Sequence, residues 1–202
     1  MVFSYDAFST CAADRWQLVI GDPNLAGWSI TAAYACAAVC AVIVLRRTAF
    51  DPAHRRQRQV LWGLIAGLMT ALALNKQLDL QSLMTALGRC VAQGQGWYEN
   101  RRMVQSDFIV GLIAAAALAG AAMLWMLRGS IRQNLLPLSG MAALAGFVLI
   151  RAGHILHIFV PDQVNTDFLL HELTSVLELL CPLLILAAGW RLLRPPSLHP
   201  RP

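Results

Sequence analysis

Long apolar runs separated by short polar stretches dominate this chain. They cover residues 25–45, 60–74, 108–127, 135–150 and 168–193. A helix needs roughly 20 mostly apolar residues to cross a hydrocarbon core of about 30 Å. The first and third runs meet that length alone; the others reach it only with polar residues at one end. The pattern predicts an all-α fold, a five-helix transmembrane bundle with spans at about 25–45, 60–80, 107–127, 135–160 and 168–193. Between spans two and three, Leu83, Met84, Leu87, Cys90 and Val91 recur at three- and four-residue steps. That spacing predicts an amphipathic helix over about 82–93, lying at the membrane interface. Gly94-Gln95-Gly96 ends it, and Trp97-Tyr98 suit the headgroup region. Residues 1–24 form an external N-terminal segment that closes on the turn Gly21-Asp22-Pro23-Asn24, and 195–202 form a proline-rich, disordered cytoplasmic tail. Span two carries Gly63 and Gly67 in a GxxxG spacing that predicts close helix approach. Span three is crowded with Ala114–Ala117 and Ala119–Ala122 around Gly120, which predicts a place at the centre of the bundle.

Composition agrees with this pattern. Of the 202 residues, 57% are apolar and 13% charged, against about 25% charged in soluble domains. The first 24 residues lack a basic stretch and carry Asp6, Asp14 and Asp22, so no signal peptide is expected. The net charge of +5 sits at helix ends, which argues for the lipid bilayer as partner and against nucleic acid. Arg46, Arg47, Arg55, Arg56 and Arg58 follow span one; Arg128 and Arg132 follow span three; Arg191, Arg194 and Arg201 follow span five. The link between spans four and five has Asp162 and Asp167 and no base. Basic short loops stay in the cytoplasm, so the N-terminus is expected outside and the C-terminus inside. One stretch dissents: 75–107, on the outer side, holds Lys76, Arg89, Arg101 and Arg102, partly balanced by Asp79, Glu99 and Asp107. Cys36 and Cys40 share a helix face and read as packing residues. Cys11 and Cys90 both fall outside, where the two could form a disulfide.

Ionisable groups within spans are expensive and mark candidate sites. Arg151, His154 and His157 line one side of span four; His171, Ser175 and Glu178 form a stripe on span five. Counted from the outer ends at about 1.5 Å per residue, Arg151 and Glu178 lie at similar depth, which predicts a buried ion pair. His154, His157 and His171 are candidate metal ligands, with Glu172, Glu178 or Asp167 to complete a zinc site. One histidine from each helix could instead hold a haem. There is no HExxH spacing, and the pattern favours neither zinc nor haem over no cofactor. Glu178 and His171 are the candidate catalytic bases. Asn75, Lys76, Asp79, Arg101 and Arg102 are the candidate groups for an anion or headgroup, because ammonium and guanidinium groups bind phosphate and carboxylate.

Several motifs point the same way: Ile20-Gly21-Asp22-Pro23 with Gly27-Trp28 and Tyr34; Asn75-Lys76-Gln77-Leu78-Asp79-Leu80-Gln81; Gly88-Arg89; and Gly96-Trp97-Tyr98-Glu99 with Arg101-Arg102 and Gln105. Through them the chain resembles an uncharacterised family of small bacterial polytopic inner-membrane proteins over about 16–107. The resemblance implies a bacterial inner-membrane location and supplies no activity. The alkaline-ceramidase-like hydrolases are a poorer fit, since their HxxxH pair and seven spans are missing. The expected role is a binding or accessory subunit, or an assembly factor, of an envelope complex, partnered by other membrane proteins. The alternatives are an intramembrane enzyme acting on a lipid-linked anionic headgroup, with or without a metal, and a haem-binding electron-transfer protein.

Overall fold

The computed structural model describes the backbone of residues 5–17, 20–155 and 164–194, and the side chains of 9–17, 20–80, 82–152 and 176–194. The described residues are helical, in the order α1 (Tyr5–Arg15), α2 (Leu25–Arg47), α3 (Arg55–Leu78), α4 (Leu80–Gly94), α5 (Arg101–Met126), α6 (Leu135–Ile155) and α7 (Val164–Leu193). Short 3-10 turns at Tyr98–Asn100 and Ile131–Asn134 lead into α5 and α6. Five of these helices, α2, α3, α5, α6 and α7, are long and apolar enough to cross a membrane, which makes this a multi-pass membrane protein. Three helix starts differ from expectation, α7 beginning at Val164 rather than 168. Helix α3 starts at Arg55 rather than near 60, because arginine is a good helix former whose stem can lie along apolar surface while its head stays in water. Helix α5 starts at Arg101 rather than 107 for the same reason.

Packing runs in the order α3, α2, α7, α6, α5. Helix α2 presents Ile30, Tyr34, Ala37, Ala38, Ala41 and Val44, at three- and four-residue steps, to both α3 and α7. Leu61, Trp62, Ile65 and Met69 of α3 and Ile185 of α7 join them in one buried core, where the α2 alanines leave room for these larger side chains. Lipid tails are as apolar as leucine, so such interdigitation, rather than removal of apolar surface from water, holds helices together in a membrane. The α2–α3 connection meets the α5–α6 connection at one end of the bundle, where Arg58 donates to Gln133 at 3.5 Å and lies over the Phe50 ring at 4.8 Å.

Helix α5 is not central. Ile109 is its single buried residue, and it sits at the edge of the row beside α6. Among the described helices, its main packing partner is α6, and its small side chains leave a flat outer surface. The Gly63–Gly67 expectation fails for a related reason: a Cβ added at either position would meet nothing within 4 Å. The close approaches are elsewhere. A Cβ on Gly140 would lie 3.1 Å from Ile185 Cγ1 and 3.2 Å from the Cys181 carbonyl, and one on Gly189 would strike Cys40 Sγ.

Candidate functional site

The end of the bundle where α2 begins and α3 ends collects most of the unusual polar residues. Asp79 makes the corner. Its backbone is left-handed, with φ 45°, a conformation that aspartate tolerates better than most residues. It ends α3 and caps α4, its Oδ1 accepting from the Ser82 N–H at 3.4 Å. The preceding turn packs directly on this corner. The Gly21 N–H donates to the Gln77 carbonyl at 2.8 Å, and a Cβ on Gly21 would sit 3.0 Å from Asp79 Cβ and 3.1 Å from the Lys76 carbonyl. Asn24 caps α2, accepting from the Gly27 N–H at 2.7 Å. Gly27 lies so close to Asp22 that any side chain there would strike it. Gln77 Nε2 donates to Thr31 Oγ1 at 2.8 Å. The two sequence motifs around Gly21 and Lys76 are thus one structural unit.

Lys76 sits at its centre. Its Nζ is 2.9 Å from Asp22 Oδ2, 3.1 Å from Glu178 Oε1 and 3.3 Å from Glu178 Oε2. The Glu178 side chain is only 8% exposed, whereas Asp22 is 41% exposed, so the lysine links a buried carboxylate on α7 to a half-exposed one on the turn. Pro182 lies one turn further along α7 and has no N–H, which leaves the Glu178 carbonyl without its helical donor. Depth matching singled out Glu178 but paired it with Arg151. In the fold its carboxylate faces Lys76, while the half-buried Arg151 places its guanidinium 5.9 Å from the Phe147 ring centroid. Lys76, a candidate anion-binding residue from the sequence, here faces two carboxylates. The Tyr34 hydroxyl is buried within electrostatic reach of Glu178, Cys181 and Arg151. Tyr34 OH and Gln77 Oε1 are both buried without a hydrogen-bond partner among the described residues.

Above this unit, α1 packs on α4 through a disulfide between Cys11 and Cys90, with Cα atoms 6.0 Å apart. Helix α4 spans Leu80–Gly94, somewhat longer than the 82–93 read from its apolar steps. Between these elements and α6 lies an open groove of about 530 Å³, lined by Arg15, Asp79, Ser82, Thr85, Ala86, Arg89 and Arg151. Arg15 donates to the neutral Gln93 side-chain amide at 3.0 Å.

The remaining candidates divide. Asn75 is half-buried beside Lys76, Asp79 lines the groove, and Arg101 and Arg102 are exposed at the start of α5. Arg101 is committed to the Tyr98 ring, 4.7 Å from its centroid, and to the Tyr98 carbonyl. His157 lies outside the described residues, as do the side chains of His154 and His171, so the metal and haem readings rest on groups the structure does not describe. Among the described residues no three His, Cys, Asp or Glu side chains gather as a metal site requires. Sequence reasoning missed Arg15, whose place beside α4 depends on the disulfide. It also missed Pro182, which was legible as a proline one turn after an intramembrane glutamate. No family model, curated protein or solved structure matches this chain.

Proposed function

We propose that this chain is a bacterial inner-membrane protein serving as a binding or accessory subunit of an envelope complex, with its polar end facing the periplasm. The single observation that carries the reading is the Cys11–Cys90 disulfide, which closes α1 over α4 at that end. Disulfides persist in oxidising compartments, and the periplasm is one. The arginine-rich connections at the opposite end support the same orientation, since basic short loops are retained in the cytoplasm. Helix α4 then lies along the outer interface.

A binding role fits the chemistry better than catalysis. Both oxygens of Glu178 face an ammonium, which suits a carboxylate that holds helices in register. Helix α5 favours the accessory role: its alanine- and glycine-rich surface, with Ile109 alone buried, has the composition of a helix that packs on another membrane helix. Reporter fusions and cross-linking test both parts. A fusion at Pro52 is expected to report cytoplasm and a periplasmic fusion after Ala13 to be active; the reverse result refutes the orientation. A photo-cross-linker at Ala115 or Ala119 is expected to capture a membrane protein in defined stoichiometry, while one at Leu183 of α7 captures lipid. Equal lipid labelling at all three positions refutes the accessory role.

A further inference from the structure

A second groove, of about 420 Å³, runs along α2 toward its arginine end. Ala38, Val39, Val42 and Ile43 line its apolar part, Arg46 and Arg47 its end, and Thr70 of α3 its other side. Val39 is 60% exposed and Val42 37%, so apolar surface lies open along it. The Thr70 hydroxyl donates to the Ala66 carbonyl of its own helix at 2.8 Å, which leaves the two arginines as the polar side chains offered to an occupant. Gly63 and Gly67 precede Thr70 on the same face of α3, at steps of four and three, and a Cβ at either would meet nothing within 4 Å. Arg46 and Arg47 are exposed, and no ion pair, side-chain hydrogen bond or ring contact among the described residues involves either. The connection that follows adds Arg55, Arg56 and Arg58 against one acid, Asp51, which faces His54 at 3.6 Å.

We propose that this groove holds an acyl chain of a phospholipid whose negatively charged headgroup sits at Arg46 and Arg47. From Ala38 to Arg47, α2 rises about 14 Å at 1.5 Å per residue. That is about half of a hydrocarbon core of about 30 Å, the depth of one leaflet. A chain lying along the groove therefore brings its own phosphate to the level of the two guanidiniums, whose forks match phosphate oxygens in pairs. In phosphatidylcholine the headgroup's own ammonium balances the phosphate, so a lipid of net negative charge is the better complement to this end of the bundle. An apolar partner helix would cover Val39 and Val42 but leave both arginines unanswered, and a soluble anion would do the reverse. The proposal goes beyond the accessory role above and depends on the orientation only for naming the leaflet, which is then the cytoplasmic one.

Full-length protein in nanodiscs of equal parts phosphatidylglycerol and phosphatidylcholine tests the site locally. A benzophenone amino acid is placed at Val39 in the groove or at Leu183, an exposed position of α7, and mass spectrometry identifies the lipid captured at each. An arginine near an anionic headgroup contributes about fivefold, so the phosphatidylglycerol to phosphatidylcholine ratio at Val39 is expected to exceed that at Leu183 by about 25-fold. Arg46→Gln and Arg47→Gln are each expected to lower this enrichment about fivefold. The Arg46→Lys/Arg47→Lys pair keeps most of it, and Arg101→Gln/Arg102→Gln at the opposite end leaves it unchanged. All four arginines are exposed, and helicity confirms folding of the variants. Equal ratios at the two positions, or an enrichment that the Arg46→Gln/Arg47→Gln pair leaves intact, overturns the proposal. So does capture of a second copy of the chain at Val39, which assigns the groove to a contact between protomers. None of these results bears on the orientation, which the reporter fusions test separately.

Discussion

Replacing Lys76 by methionine keeps the length and apolar stem of the side chain and removes its charge. Two carboxylates lose their partner, and their environments differ sharply. At 3.1 Å and the effective dielectric of about 20 that suits protein sites, the Lys76–Glu178 attraction is about 5 kcal/mol. Asp22, at 2.9 Å but 41% exposed, is solvated by water; at a dielectric near 80 its attraction is about 1.4 kcal/mol, and exposed pairs usually yield about 1 or less. Lys76→Met is therefore expected to destabilise the protein by about 3–5 kcal/mol, the usual result of orphaning a buried charge. Asp22→Asn should cost about 1 kcal/mol or less. Because the loss comes from the stranded Glu178, the double variant Lys76→Met/Glu178→Leu should recover most of it, as apolar replacement of a whole buried pair often does. Denaturant titration in detergent micelles, followed by helicity, measures the four corners of the double-mutant cycle. If Lys76→Met costs no more than Asp22→Asn, or if the double variant is as unstable as the sum of the singles, the buried link between α3 and α7 is not what holds this end together.

Three further outcomes follow from the same geometry. Asp79→Ala, which loses both the α4 cap and the tolerance for a left-handed backbone, should cost about 2 kcal/mol, while Asp79→Asn should be nearly neutral; thermal unfolding of the two variants tests it. Reducing the disulfide opens a loop whose ends are 79 residues apart; the chain-entropy relation gives about 4.5 kcal/mol as the upper scale of the loss, and a denaturant midpoint that does not move on reduction would contradict it. Gly140→Val and Gly189→Val should sharply lower folded yield, judged by size-exclusion profile, whereas Gly63→Val and Gly67→Val should keep the wild-type profile, since only the first pair faces another helix.

Some of this protein was legible without a fold. Hydropathy determined the five long helices, because a bilayer demands a minimum apolar length whatever the neighbours are. Local spacing likewise identified α4, and the charge pattern pointed to Glu178 as an unusual intramembrane carboxylate. Readings of packing from small residues did not hold, although the Cys11–Cys90 contact did. Glycine spacing suggested Gly63 and Gly67 as contact points, yet Gly140 and Gly189 occupy the close crossings; small residues suggested a central α5, yet it stands at the edge. A stretch of small side chains permits an approach without specifying a partner. Glu178 was matched to an arginine of similar depth on the next helix in sequence, whereas Lys76 reaches it from α3. Depth along a helix is a one-dimensional quantity read from sequence; rotation about the helix axis and the order of helices around the bundle arise only when the side chains interlock. For that reason the sequence determined the chain's membrane-spanning class, and tertiary packing alone decided how Asp22, Lys76 and Glu178 meet and how three distant arginines come to line one groove.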